Sequence, residues 1–347
     1  MIARYSPDPN DITASGGRQT DLHQKARAAS HEKFGGRVFV RGVLEVSNYC
    51  RENCAYCGMR RDNTALPRYR AEPERIAESL LPAIPEFVTD LNIQAGEDPV
   101  AIRNVVLPLL KTLRRETRLG LSLCLGTLTP DLYRELMDSG ARIYIMKFET
   151  SSEAEYARVL APGSLPERLG HIRMLAKSGW SVTSGFIAGL PGQTRDSLLA
   201  SLELCQTLPL KGCSVSPFIP GGQTPLAQSP PANLEQTLNC MAMLRCMRPE
   251  WTVPAVSALH LTGTDGYRRG LRAGANLITL NLTPDQYRGE YVIYKKDRFI
   301  MTAECALKAM ELEGLEPSRQ SLEAYYESLP LQAQAPVVPS PGTTEIP

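Results

Sequence analysis

Three cysteines, Cys50, Cys54 and Cys57, fall within the eight positions 50–57, spaced C-x3-C-x2-C in the stretch NYCRENCAYCGMRRDN. Few chemistries need three thiols so close. A structural zinc site takes four ligands, often as two C-x-x-C pairs. This stretch has no second pair and no histidine. His31 lies upstream of the first strand-like run, and so near the opposite end of a barrel, and His171 is remote. A disulfide framework is uncommon in a cytosolic chain of this length. An iron–sulfur cluster prefers thiolate ligands. Three thiols from one loop can hold three irons of a Fe4S4 cluster and leave the fourth open to bind and reduce a ligand. The other cysteines (Cys124, Cys205, Cys213, Cys240, Cys246 and Cys305) sit in apolar contexts and read as small buried hydrophobes.

The elements that must carry this loop follow a regular beat. Apolar, β-branched runs lie at 38–46, 87–95, 119–125, 142–149, 180–188, 212–219, 251–258 and 276–282. Helix-like segments separate most of them, at 73–84, 99–116, 130–140, 165–179, 195–208 and 233–247, several opening on Pro or Asp. Alternating strands and helices imply parallel strands with right-handed crossovers. Eight such units close into an α/β fold of the (β/α)8 TIM-barrel type. The cysteine loop then follows strand one, at the C-terminal mouth where barrel sites are built. Residues 1–34 are expected to be an N-terminal arm, with 1–20 loose and no anchoring helix. The barrel is expected over 35–318. Residues 319–347 are expected to be an extension ending in a disordered tail, because 331–347 carries four prolines and no packing pattern.

Composition excludes some classes. The 38 basic and 37 acidic side chains leave a net charge of +1, which gives no electrostatic footprint for nucleic acid. The N-terminus lacks an apolar signal region, and no apolar run approaches the ~18 residues of a membrane span. The expected setting is the cytoplasm, without nucleic-acid or membrane partners.

With Tyr56 before its last cysteine, the loop resembles the signature of the radical S-adenosylmethionine (radical SAM) enzymes. The resemblance covers roughly residues 35–318. The segments CGMRRDNTALPRYR (57–70), QAGEDP (94–99) and FETS (148–151) are similar to the biotin-synthase-like branch. GLPGQT (189–194), PFIPGGQTPLA (217–227) and GANLITLNLTPDQYRGEYVIY (274–294) resemble the HydE type of [FeFe]-hydrogenase maturase. The methylornithine synthase type shares the first segments. The resemblance implies a [4Fe-4S] cluster on Cys50, Cys54 and Cys57, with S-adenosyl-L-methionine (SAM) chelated at the open iron. Cleavage to methionine and a 5′-deoxyadenosyl radical would follow. It further implies an electron donor such as ferredoxin or flavodoxin, and a small-molecule substrate inside the barrel.

Site residues carry over position by position. Ala95, Gly96 and Glu97 match the segment that receives the SAM amino group. Arg168 matches the SAM-carboxylate position and offers a planar donor fork. Glu149 suits the ribose hydroxyls, and Tyr56 with Gly189 and Gly192 of the GLPGQT loop suits adenine. Those two glycines are equally compatible with a tight turn. Ser257, Asn281, Tyr291 and Tyr294 match positions lining the inner cavity, although tyrosines there can also be plain core. Lys147, two residues before Glu149, shares its strand face by parity. It is expected to bind a substrate carboxylate, or else to pair with Glu149 or Glu45.

Departures fall on the substrate side. Lys147 stands where the maturases usually have Arg, and Val256-Ser257 where they have a Thr pair. Only Cys305 remains where some maturases carry an accessory C-terminal cluster. Against biotin synthase, Ser122 and Thr183 replace auxiliary-cluster cysteines and Cys124 is displaced by two residues. A carbon-skeleton mutase of the methylornithine synthase type, a biotin-synthase-like enzyme, and a non-enzymatic iron–sulfur or zinc carrier are the alternatives.

Overall fold

A computed structural model describes residues 5–294 and 299–329. All eight expected strands form: β1 (Arg37–Ser47), β2 (Asp90–Ala95), β3 (Gly120–Cys124), β4 (Ile143–Ile145), β5 (Ser181–Ala188), β6 (Gly212–Pro217), β7 (Pro254–Ala255) and β8 (Leu277–Asn281). They run parallel in the order β6-β5-β4-β3-β2-β1-β8-β7. The ring closes between β6 and β7 through the bridge Gly212–Thr252, with Cys213 N donating to Thr252 O at 3.0 Å. This is the expected (β/α)8 barrel. Its outward residues, such as Leu121, Leu123 and Leu125, form one continuous core with the helices.

Each expected helix is present, and local chemistry explains where they start. Thr129, Ser164, Thr194 and Asn233 cap the helices Pro130–Asp138, Leu165–Lys177, Arg195–Thr207 and Leu234–Met247 through their side-chain oxygens. Ser164 and Glu167 complete a capping box.

The ends depart from expectation. Within the expected loose arm, the described residues 5–20 are ordered: Pro9–Ile12 and Gly16–Phe34 are helices, and the second packs along Leu234–Met247. Only Leu22 and Ala26 of that helix are buried, so no apolar stripe announces it. Its attachment is polar. Gln19 and His23 both reach Asn239 Oδ1 at 3.0 Å, while Asn239 Nδ2 donates to the carbonyls of Ile12 and Ala14. Arg27 adds an ion pair to buried Glu313 at 3.0 Å. At the other end, the helix Leu322–Ser328 closes the barrel floor. Leu322, Tyr325 and Tyr326 pack with Phe39, Ile143 and Leu277. Asp90 at the foot of β2 accepts Leu322 N at 2.8 Å. The proline-rich stretch 331–347 lies outside the described residues.

Among the described residues, no helix is long and apolar enough to cross a membrane.

Candidate active site

A cavity of about 360 Å³ descends the barrel from the cysteine loop to Arg41, Thr252 and Tyr326 near the floor. Its wall carries Cys50, Cys54, Cys57, Tyr56, Ala95, Gly96, Glu97, Lys147, Glu149, Arg168, Ser257, Asn281, Tyr291 and Tyr294. The structure therefore brings together every candidate except Gly189 and Gly192. Those two are absent from the wall. They hold φ of +83° and +75°, values that favour glycine, and the turn is tied by Gln193, whose Oε1 accepts Gly189 N at 2.7 Å. Their visible role is the tight turn.

The cysteine loop begins where β1 loses register with β2, between Glu45 and Ser47. Two polar side chains then shape it. Asn48 donates to the carbonyls of Pro67 and Glu290 and accepts Tyr69 N, each at 2.8 Å. Arg68 grips four carbonyls, of Asn48, Met59, Arg60 and Asn63, at 2.5 to 3.1 Å. Gly96 admits the loop against β2, because a Cβ there would collide with the Tyr49 carbonyl and the Cys50 side chain. Glu97 N donates to Cys50 Sγ at 3.3 Å.

Burial raises all three thiol pKa values: Cys57 to about 12, Cys54 well above its usual value, and Cys50 upward. As thiolates they would be costly here without a positive partner. Among the described residues, no group of three or more His, Cys, Asp or Glu side chains is arranged to hold a single metal ion.

Thr127, which the sequence reading missed, joins the next group. Glu97 Oε1 accepts both the Thr127 N–H and Arg51 Nη2, the latter at 3.2 Å. Arg51 Nη2 also reaches Thr127 O at 2.9 Å. Arg168 donates through Nη1 to Thr127 Oγ1 at 2.8 Å and through Nε to Lys147 O at 2.9 Å. These bonds spend two guanidinium nitrogens and leave Nη2 without a protein hydrogen bond among the described residues.

Glu149 lies beyond the end of β4 with φ of +64°. For a non-glycine residue such backbone costs about 1–3 kcal/mol. Hydrogen bonds from Glu149 N to Gly185 O and from Ile187 N to Glu149 O hold it there. Glu149 Oε2 is buried and has no hydrogen-bond partner, the condition expected of a ligand-binding oxygen. Strand parity therefore ends before Glu149, but both it and Lys147 reach the same cavity.

Lys147 Nζ donates to Ser216 Oγ at 3.0 Å. Among the described residues it makes no ion pair with Glu149 or Glu45 within 4.0 Å. Burial, the largest single effect, lowers its pKa, but the surrounding charges, Glu149 foremost among them, together outweigh it and the net shift is upward. It stays a cation. Arg41, also missed from the sequence, is a second lumen cation bonded to Thr279 Oγ1 at 3.0 Å. Its signal was alternation: it shares a strand face with Val43 and Glu45, which also line the cavity. Ser122 is fully buried and bonded to Asn92, as expected of a structural residue.

Comparison with known proteins agrees with this geometry. The profile of the Radical SAM superfamily matches residues 44–205. The [FeFe] hydrogenase maturase subunit HydE of Thermotoga maritima is 32% identical over 305 residues, covering 86% of this chain and 87% of the relative. A 3-methylornithine synthase of Methanosarcina barkeri is 27% identical over 307 residues, covering 86% of each. The crystal structure of methylornithine synthase (PylB) superposes with a TM-score of 0.82 at 25% identity, covering 93% of this chain and 96% of that one. Similarity at this level, sustained along most of both chains, shows that this protein belongs to the radical SAM superfamily.

Proposed function

We propose that this enzyme cleaves SAM reductively at a Fe4S4 cluster held by Cys50, Cys54 and Cys57, and directs the radical at a small carboxylate- or sulfur-bearing substrate, as in HydE-type maturation of a hydrogenase cofactor. The observation that carries the reading is one continuous cavity, with the three thiols at its mouth and the cation Lys147 in its lumen.

The residues fit the groups the family implies. Cys50, Cys54 and Cys57 would hold the cluster as thiolates, releasing their protons to solvent. Glu149 Oε2 lacks a donor, and the ribose hydroxyls would supply one. The free edge of Arg168 suits the SAM carboxylate. When bound, the cluster supplies the electron that converts SAM to methionine and a 5′-deoxyadenosyl radical. The protein's own work is placement. Gly96 lets backbone approach the loop, Thr127 ties Glu97 to Arg168, and the walls keep water from the reacting carbon. Lys147, steadied by Ser216, orients a substrate carboxylate. A ferredoxin or flavodoxin is the proposed electron donor.

A methylornithine-forming type of mutase is the second reading, favoured by the close superposition on PylB. The test is anaerobic. Protein reconstituted with iron and sulfide receives SAM and dithionite, with or without cysteine-derived thiazolidines or lysine. 5′-Deoxyadenosine and any adenosyl adduct are followed by mass spectrometry. A rise driven by a thiazolidine supports the maturase reading, and one driven by lysine the mutase. No cleavage by fully loaded protein overturns both.

A further inference from the structure

Cys124 ends β3, and its surroundings define where its thiol faces. Leu121, Leu123 and Leu125 pack outward into the core, so alternation turns Ser122 and Cys124 to the lumen. Ser122 is fully buried and spends its hydroxyl on Asn92 and Leu91 O. Cys124 keeps accessible surface and lines the cavity. Its register partner on β2 is Gln94, directly before the Ala95-Gly96 segment on which Cys50 rests. The thiol therefore stands just below the cysteine loop. Among the described residues, no hydrogen bond involves its sulfur.

A second observation places a ligand in the same chamber. Glu149, whose Oε2 is buried and without a partner, lines this cavity. Lys147, Arg168 and Glu149 are among the charges that act on the Cys124 thiol, so the thiol and the waiting acceptor share one space.

We propose that Cys124 is a hydrogen-atom donor to carbon radicals formed in this cavity. This rests on the reading of the protein as a SAM-cleaving enzyme. An S–H bond is weaker than an aliphatic C–H bond, so transfer to a primary carbon radical runs downhill. The S–H bond breaks, a C–H bond forms on the radical carbon, and Cys124 is left as a thiyl radical. One electron from the reductant that serves the enzyme and one solvent proton restore the thiol. Without a substrate, the radical that Cys124 quenches is the 5′-deoxyadenosyl radical. A thiol proton exchanges with solvent, whereas the hydrogens of SAM's 5′-carbon do not, and this makes the step visible.

Loaded protein is given SAM and dithionite in D2O with no substrate. The expected 5′-deoxyadenosine from the native protein carries one deuterium, and that from Cys124→Ser and Cys124→Ala carries none. Unlabelled product from the native protein overturns the proposal. So does label persisting in both variants, which would assign the donor to a phenol such as Tyr56, Tyr291 or Tyr294. Absence of 5′-deoxyadenosine from the loaded native protein fails the functional reading instead, a distinct result. A second readout needs no turnover and no variant. In loaded, unreduced protein, iodoacetamide should alkylate Cys124, and SAM should protect it at least several-fold, read by peptide mass. Equal alkylation with and without SAM places the thiol outside the SAM chamber and overturns the proposal.

Discussion

Arg168 donates through Nε to the carbonyl oxygen of Lys147, at 2.9 Å. The guanidinium suited to the SAM carboxylate is thereby fastened to the backbone of the lysine suited to the substrate. Its Nη1 holds Thr127, which Glu97 grips by its N–H. The proposed cofactor side and the proposed substrate side thus share one hydrogen-bonded frame, and a change at Arg168 should be felt at both.

Arg168→Ala removes a charge-assisted hydrogen bond from the ligand, worth about 1.5–3 kcal/mol. SAM should bind ~10- to 150-fold more weakly to loaded protein, measured anaerobically by titration calorimetry. Arg168→Lys keeps the charge but cannot span Lys147 O and Thr127 Oγ1 together, so it should recover only part of the affinity. An unchanged affinity in both variants removes the assigned role.

Arg68 touches no proposed ligand, yet it closes the cysteine loop on four carbonyls. Arg68→Ala strands those acceptors, at a cost of at least about 2 kcal/mol. Iron bound per chain should fall, and the urea midpoint should drop. Full iron loading by this variant would show that the loop holds its shape without the arginine.

Gly96→Ala tests the packing of the loop on β2. The added methyl meets the backbone of Tyr49 and the side chain of Cys50, and overpacking of this kind costs roughly 1–3 kcal/mol. Far-ultraviolet circular dichroism should stay barrel-like while cluster absorbance after reconstitution falls. Normal loading would mean the loop can shift without loss.

Asp90 predicts a pH dependence of stability. Burial raises its pKa from 3.8 to about 6, against hydrogen bonds from Leu322 N and Thr89 that lower it. The folded chain then holds this proton more tightly than the unfolded one. The penalty for ionising it is absent below about pH 3.8 and complete above about pH 6. Stability falls by roughly 3 kcal/mol as pH rises through that window. Asp90→Asn should abolish this component, so in denaturant unfolding the stability difference between the two proteins should change by roughly 3 kcal/mol between pH 4 and 6.5. Parallel curves for the two proteins would contradict the assignment.

Much of this was legible before any coordinates. Strand and helix runs alternate because each strand is buried on both faces and each helix on one, a periodicity written residue by residue. The three cysteines announced themselves by spacing, and Glu149 and Arg168 by resemblance. Gly189 and Gly192 stayed ambiguous in sequence because a tight turn and a ligand-contacting loop use the same residue for the same backbone reason. The helix Gly16–Phe34 was hidden because Asn239, more than 200 positions away, supplies its anchor. Thr127 carried no local pattern at all, and nothing within the segment 57–70 singled out Arg68.

The linear chain by itself determined the barrel, the cysteine loop after its first strand and the superfamily, since these depend on periodicity and short-range spacing. Only the tertiary structure decided that Glu149 keeps a buried oxygen without a partner, that Lys147 rests on Ser216 rather than on a carboxylate, and that the C-terminal helix plugs the floor. Each of those turns on which groups meet across the lumen. Burial and hydrogen-bond satisfaction are properties of such encounters, and no stretch of sequence contains them.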